Sequence, residues 1–201
     1  MIVKYKLTNK SKIINSHVLY RIIATKRFSD VKKGDFGGWI EKVENLSQKG
    51  DCWVGDNSMI YGNAMVFDDA RIYGNVRVYD NAWVYENARV YGTAWVFCNT
   101  RVSGNANVYG DASVYGDTNI YENALVYGTA RVSDNASIYG NARVSGNAQI
   151  YGNARVFGNA HIYDEVREGN SIINYKNTKK THNIPTPKTI NAINWLNINE
   201  E

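Results

Sequence analysis

The sequence is dominated by a six-residue repeat, because every sixth residue from Val54 to Ile162 is Val or Ile, nineteen times in succession. The unit reads aliphatic, aromatic, Gly or acid, Asn, Ala, variable, as in the segment Ile-Tyr-Gly-Asn-Ala-Arg at 150–155. Side chains alternate between the two faces of an extended strand, so the Ala of one unit and the aliphatic residue two positions later share a face. Gly and Asn accept a positive φ at the least cost, so the pair between strands predicts a corner.

Short strands joined by corners can form either an antiparallel meander or a coil that turns by about a third of a circle at each corner. A meander leaves the Val and Ala face bare, whereas a triangular coil of three units encloses that face. We therefore predict an all-β fold, a single-stranded parallel β-helix shaped as a triangular prism of about six coils. In this register Val108 and Val114 are expected to be fully buried.

The repeated aliphatic-x-x-Asn-Ala-x pattern, from Val54 to about Arg167, resembles the hexapeptide-repeat proteins. This resemblance implies a left-handed parallel β-helix. The preceding segment, Arg-Ile-Ile-Ala-Thr-Lys-Arg-Phe at 21–28 through Phe-Gly-Gly-Trp-Ile at 36–40, resembles the N-terminal module of YdcK-like bacterial proteins and of phage and prophage proteins. The residue after the aliphatic is usually small or acidic in the family, whereas here it is Tyr twelve times.

The chain divides into three segments by composition. We predict a small N-terminal capping module at 1–53, the hexapeptide-repeat β-helix at 54–167, and a linker with a C-terminal capping tail at 168–201. The last segment is rich in Asn, Lys and Thr and contains Pro185 and Pro187. No stretch has the length and apolarity of a membrane span or a signal peptide, so a cytoplasmic protein is expected.

Three histidines, His17, His161 and His182, are the candidates for a general base. In the resemblance, hexapeptide acyltransferases use a His to take the proton of the nucleophile, and a loop that leaves the rod builds the acyl-donor site between subunits. No such loop interrupts the repeat between Val54 and Ile162. We therefore expect ordinary exposed or capping histidines, no catalytic residue and no cofactor, with a hexapeptide acyltransferase as the alternative.

Metal binding is also not expected from the sequence. Cys52 occupies a small inward position and should behave as a buried hydrophobic residue, while Cys98 stands at a corner without His or Cys at ligand spacing. Asp68 and Asp69 form a corner pair that could hold Ca²⁺ weakly, but we expect no further carboxylate to stack on it from a coil 18 residues away. The sequence therefore predicts no metal site.

The aromatic residue of each unit should build columns along the outside of the rod, because residues three units apart stack. Ring stacking stabilises such a rod. Three aromatic faces nevertheless leave more apolar area in water than a soluble monomer usually carries, so we expect one face to bind a protein partner or a second copy. The candidate partner-binding residues are Met59, Tyr61, Tyr79, Trp95, Phe97 and Tyr115.

These features favour a non-catalytic interaction protein that binds or occludes a macromolecular partner. The resemblance to phage-borne proteins suggests an inhibitor of a host defence system such as CRISPR. A third hypothesis is an RNA or single-strand binder that stacks bases on Tyr beside Arg71, Arg89 and Arg101. It is less favoured, because 54–167 holds 8 basic and 11 acidic side chains, and nucleic-acid affinity comes mainly from neutralised phosphates.

Overall fold

The computed structural model describes residues 3–174, which form twenty-four strands and one short 3-10 helix. Three longer strands come first: β1 (Tyr5–Ile14), β2 (His17–Ala24) and β3 (Phe36–Ile40). The 3-10 helix, Val43–Asn45, follows them. The later strands have two or three residues each: β4 (Trp53–Val54), β5 (Met59–Ile60), β6 (Met65–Val66), β7 (Arg71–Ile72), β8 (Arg77–Val78), β9 (Trp83–Val84), β10 (Arg89–Val90), β11 (Trp95–Val96), β12 (Arg101–Val102), β13 (Asn107–Val108), β14 (Ser113–Val114), β15 (Asn119–Ile120), β16 (Leu125–Val126), β17 (Arg131–Val132), β18 (Ser137–Ile138), β19 (Arg143–Ser145), β20 (Gln149–Ile150), β21 (Arg155–Phe157), β22 (His161–Tyr163), β23 (Val166–Arg167) and β24 (Ile172–Asn174).

Every third strand stacks on the one before it, which produces three sheets. Sheet 1 has the order β1-β2-β3-β5-β8-β11-β14-β17-β20-β23. Sheet 2 has the order β22-β19-β16-β13-β10-β7-β4, and sheet 3 has the order β24-β21-β18-β15-β12-β9-β6. From β3 onward the strands of sheet 1 run parallel, and partners such as Trp95 and Ser113 lie three repeat units apart. The described part of the chain is therefore an all-β parallel β-helix, as the repeat predicts.

The core is a closed column of aliphatic and small side chains inside the three sheets. Val108 and Val114 are fully buried, and so are the Ala residues two positions before each aliphatic. Thr100 and Thr118 take the same inward position, and each hydroxyl donates to a carbonyl three residues earlier in the corner. The register assigned from the sequence is thus confirmed, while the left-handed sense of the coil stays a prediction.

The coil count predicted from the repeat, about six, is too low, because eight parallel strands stack in sheet 1. The first additional coil begins at β3, where the spacing between Trp39 and its partner Met59 is two residues longer than three repeat units. At the other end, the spacing between Ile150 and its partner Arg167 is one residue shorter than three units. Neither end keeps the spacing of the repeat, so a search for six-residue periodicity does not find these coils.

The corners depend on residues with positive φ. Gly74 has φ 87°, and a Cβ on it would lie 2.6 Å from the carbonyl oxygen of Gly92 in the next coil. Asp56, with φ 50°, occupies the equivalent place one coil earlier, and its carboxylate accepts the Gly74 N–H at 2.8 Å. The corners therefore stack closely enough that a Gly fits best, and an acid there gains a hydrogen bond to the next coil.

The hairpin of β1 and β2 extends sheet 1 at the N-terminal end of the rod. It pairs with β3 in an antiparallel register, with Tyr20 opposite Ile40 and Arg21 opposite Trp39. The N-terminal edge of sheet 1 is therefore formed by β1, and the capping role of 1–53 stays a prediction. Of the predicted linker and C-terminal capping tail at 168–201, the structure describes 168–174, where β24 pairs with β21 in sheet 3, and the remainder lies outside the described residues. Within residues 3–174 no helix has the length and apolarity needed to cross a membrane.

Candidate functional site

His17 and Glu41 form an ion-pairing contact at the N-terminal end of sheet 1. The Nδ1 atom of His17 lies 2.9 Å from Oε1 of Glu41, and both side chains are partly exposed. The second carboxylate oxygen, Oε2, accepts the Gly62 N–H at 2.7 Å. The imidazole packs against Tyr61, with 5.0 Å between ring centroids. Both partners of the pair are therefore held in place from two sides.

The electrostatics of the pair favour a carboxylate at Glu41. Burial alone would raise the pKa of Glu41, but the hydrogen bonds from His17 and from the Gly62 N–H outweigh it and hold this pKa below its ordinary value. A carboxylate on Nδ1 fixes the orientation of the ring, and a proton on Nδ1 leaves Nε2 as the proton acceptor. The arrangement is that of a histidine general base with an orienting acid.

The hairpin brings this pair together across a long stretch of sequence. Asn15 and Ser16, with φ 46° and 68°, turn the chain between β1 and β2 and place His17 at the start of β2. Leu19 is fully buried and packs with Met59 and Tyr61, which anchors the hairpin on the rod. Sequence reasoning alone misses the pair, since His17 and Glu41 are 24 residues apart and no repeat relates them.

The other candidate side chains do not join this site. His161 is exposed on β22, and His182 lies outside the described residues. Cys52 is fully buried, as predicted, and burial raises the pKa of its thiol although Lys4 Nζ lies 3.2 Å from its Sγ. Cys98 sits at a corner with φ 59°. In residues 3–174 no three His, Cys, Asp or Glu side chains cluster as metal ligands would.

The corner pair Asp68 and Asp69 serves backbone hydrogen bonds. Asp68 accepts the Glu86 N–H at 3.2 Å, and Asp69 accepts the Asp51 N–H at 2.9 Å. The expectation that no further carboxylate stacks on this pair is therefore wrong, because Asp51 and Glu86 stand in the neighbouring coils. Both carboxylates of the pair accept a backbone N–H from a neighbouring coil, so they stabilise the stacking of coils.

The six predicted partner-binding residues lie on sheet 1 or at the corner that follows it, but they are not equally accessible. Met59 and Tyr61 are 7% and 3% exposed, because the chain's own hairpin covers them. Trp95 is 41% exposed, and the rings of Tyr79, Phe97 and Tyr115 are half-buried. In this conformation Met59 and Tyr61 cannot contact a partner. For Tyr79, Trp95, Phe97 and Tyr115, hereafter the sheet 1 patch, partner binding stays a prediction.

The aromatic columns are present, and their geometry limits what they can bind. Stacked rings lie 4.7–5.0 Å apart between centroids, with interplanar angles of 2–12°. Ring faces thus contact each other and mostly edges reach the surface, which disfavours base stacking on the column tyrosines. Arg71 and Arg89 share sheet 2, but Arg71 pairs with Asp30 at 2.8 Å, and Arg101 lies on sheet 3. The three arginines of the nucleic-acid hypothesis do not form one surface.

The fold and its six-residue units define the class of the protein: a parallel β-solenoid built from six-residue repeats. A sequence model described as the YdcK β-solenoid repeat matches residues 70–86, 136–148 and 148–164. Among curated proteins the chain is similar to the "Uncharacterized acetyltransferase YdcK" of Escherichia coli (strain K12). The two are 37% identical over 70 residues, which cover 30% of this chain and 22% of the relative. The resemblance to YdcK-like repeat proteins is confirmed, and the chain spans about a fifth of the length of this curated relative.

This similarity corrects one prediction from the sequence. The sequence predicts no enzymatic activity, and that prediction is wrong, because a similar protein, 37% identical over 70 residues, is named an acetyltransferase. The uninterrupted rod argues against a donor site built from a loop, but it does not exclude a base supplied by the N-terminal hairpin. Neither match carries a phage or host-defence description, so the narrower prediction of a defence inhibitor has no support from them.

Proposed function

We propose that this chain transfers acetyl groups and that His17 is the general base. The observation that carries the proposal is the His17–Glu41 pair, in which the carboxylate holds Nδ1 at 2.9 Å. The name of the similar protein supplies the reaction class. In the described residues, His161 is exposed and makes no ion pair, so His17 is the better candidate.

The proposed reaction needs one proton acceptor beside the attacking group. A substrate hydroxyl or amine attacks the carbonyl carbon of an acetyl thioester, and its proton passes to Nε2 of His17. The carbon–sulfur bond then breaks, and the thiolate leaves with the proton that His17 returns. The Glu41 carboxylate stabilises the imidazolium in between and is itself kept in position by the Gly62 N–H.

The test uses the full chain with acetyl-CoA and a panel of primary amines and sugars, measured as thiol release. Wild type is expected to bind acetyl-CoA saturably, and His17→Gln should lower the turnover by about 10² or more with little change in acetyl-CoA affinity. His161→Gln is the matched control, since it removes an exposed histidine far along the rod. The proposal fails if acetyl-CoA does not bind saturably, or if both variants keep wild-type turnover.

We also propose that the sheet 1 patch binds a protein surface. Trp95 carries this second function, because its indole is 41% exposed beside the stacked rings of Tyr79, Phe97 and Tyr115. Trp and Tyr are enriched at interface hot spots, since they bury a large area with few rotatable bonds. The test takes a second copy of the chain as the partner and compares the oligomeric state of Trp95→Ala with that of wild type.

A further inference from the structure

Three cations lie on sheet 1 near the place where the N-terminal hairpin joins the rod. The Lys12 ammonium lies 4.5 Å from the centroid of the Trp39 ring, and the Arg21 guanidinium lies 5.2 Å from the same ring. These two charges are therefore neighbours that share one indole. Trp39, Met59 and Arg77 are register partners on β3, β5 and β8, so Arg77 lies two strands beyond Trp39 on the outer face of sheet 1. Its guanidinium lies 4.9 Å from the centroid of the Trp95 ring.

No acid neutralises this cluster in the part of the chain that the structure describes. The ion pairs there join His17 to Glu41, Arg71 to Asp30, and Arg167 to Glu165. Glu41, the carboxylate of the adjoining strand end, is already engaged by His17 and the Gly62 N–H. Lys12, Arg21 and Arg77 thus have no carboxylate partner among the described residues.

The three like charges lie near enough to one another to affect the pKa of Lys12. Burial, and then the charges of Arg21 and Arg77, lower the pKa of Lys12 below its ordinary value. The indole Nε1 of Trp39 is buried with no acceptor among the described residues. A bound anion would reduce the repulsion among the three cations by accepting charge-assisted hydrogen bonds from them.

We propose that Lys12, Arg21 and Arg77 form a binding site for a ligand that carries linked phosphate groups. One phosphate would lie between Lys12 and Arg21 at the edge of Trp39, and the Arg77 side chain, whose backbone lies two strand spacings or roughly 10 Å from Trp39, would extend toward a phosphate linked to the first. Arginine and lysine both bind phosphate through charge-assisted hydrogen bonds. A single phosphate contacts fewer of the three cations, so linked phosphates should bind more tightly.

The alternative is that the cations only cover apolar surface through cation–π contacts. Such contacts occur about once per 70–80 residues in proteins. Residues 3–174 contain seven, and four of these involve the hairpin or sheet 1: Lys10 with Phe36, Lys12 with Trp39, Arg21 with Trp39, and Arg77 with Trp95. A matched pair outside the cluster, Arg101 over Trp83 at 5.3 Å on sheet 3, separates the two explanations.

The experiment measures binding of inorganic pyrophosphate, ADP and an oligothymidylate to the full chain by calorimetry, without any acetyl donor. Binding is expected for at least one of the three probes, with an affinity that falls as salt rises. Arg77→Gln and Lys12→Gln should each weaken it by about tenfold or more, whereas Arg101→Gln should change it by less than about twofold. Arg77→Lys keeps the positive charge and should therefore bind more tightly than Arg77→Gln. If the guanidinium had only a structural role, the two variants should bind equally.

The three probes also distinguish the source of the phosphates. Pyrophosphate as the tightest ligand points to the phosphates alone, ADP points to a nucleotide, and the oligothymidylate points to a single-stranded polynucleotide. The proposal is overturned if no probe binds at low salt, or if Arg101→Gln weakens binding as much as Arg77→Gln. Because no acetyl donor is present, failure of acetyl transfer leaves this result unchanged.

Discussion

Lys4 shows under which conditions this fold buries a charge. Its side chain is 1% exposed, and its Nζ donates to the carbonyl oxygens of Lys49, Gly50 and Cys52 at 2.9–3.2 Å. Burial lowers the pKa of Lys4, although the nearby Cys52 acts in the opposite direction. The corner before β4 thus supplies three acceptors to one cation. The Val and Ala side chains that line most of the interior of the rod supply none, and the backbone groups of each coil bond to the next coil.

Placing a charge in that interior should unfold the rod. Val114 is fully buried, and Val114→Asp would strand a carboxylate among aliphatic side chains at a cost of about 4 kcal/mol or more. Thermal unfolding followed by circular dichroism should show the loss directly. Ser113→Asp is the control one residue away, because Ser113 points outward beside Trp95 and Arg131. Equal melting temperatures for the two variants would contradict the inward and outward assignment.

At the scale of the strands, stability comes from side-chain columns that repeat from coil to coil. Asn63, Asn81 and Asn99 form a chain of side-chain hydrogen bonds that ends on Asp117, with distances of 2.7–3.2 Å. The rings of Tyr61, Tyr79, Phe97 and Tyr115 stack beside them. Strands of two residues pair weakly alone, so these columns supply part of the contact between coils.

Column packing predicts an effect of alkaline pH on stability. Burial, and then the neighbouring Tyr61, raise the pKa of Tyr79 to about 12. Since the unfolded chain ionises this phenol near its ordinary pKa of about 10, the folded state should lose stability between pH ~10 and ~12. Tyr79→Phe fits the column, which already contains Phe97, and should lose less stability over this interval in urea unfolding. A variant that follows wild type at every pH would contradict the prediction.

At the scale of the whole molecule, charge is sorted by position along each coil. The arginines of the rod mostly point outward from the first residue of a strand, as Arg77, Arg101 and Arg131 do. Acidic residues instead stand at corners with positive φ, as Asp80 and Asp134 do, where their carboxylates accept N–H groups of the next coil. A rod whose net charge is slightly negative can thus present basic faces. A count of basic and acidic side chains over 54–167 does not reveal these faces.

The sheet 1 patch predicts self-association of the whole rod. Trp95→Ala should weaken dimer formation by about 2 kcal/mol or more while the fold is kept, because the side chain points away from the core. Sedimentation over a range of concentrations measures the effect. Arg143→Ala, an exposed change on sheet 2, is expected to be nearly silent. If both variants associate like wild type, the column rings stabilise the stack and do not bind a second copy.

The repeat makes the rod predictable, since each unit carries the same inward, outward and corner positions. Val108, Val114 and Cys52 are therefore buried as expected. The end coils could not be predicted from the repeat, because the spacing from Trp39 to Met59 is longer than three units and the spacing from Ile150 to Arg167 is shorter.

The candidate site could not be predicted in the same way. His17, Glu41 and the three cations meet only through the hairpin and its packing on Met59 and Tyr61, and no local pattern reports such contacts. The alternation of side-chain polarity in 17–24 indicates a strand but not its packing partners. Which rod residues this strand covers is decided by long-range packing.

The three-strand coil also determines which changes of gene length this protein tolerates. Partners such as Arg77 and Trp95 are three repeat units apart, so a duplication of three units adds one coil and leaves every column in register. A duplication of one or two units keeps the inward residues inward but rotates everything downstream onto a different sheet. Inserted after Trp95, it would move Arg131 out of the sheet 1 column. Whole-coil duplications therefore change only the length of the rod, by roughly 4.8 Å each, while shorter duplications rearrange its surface without disturbing its core.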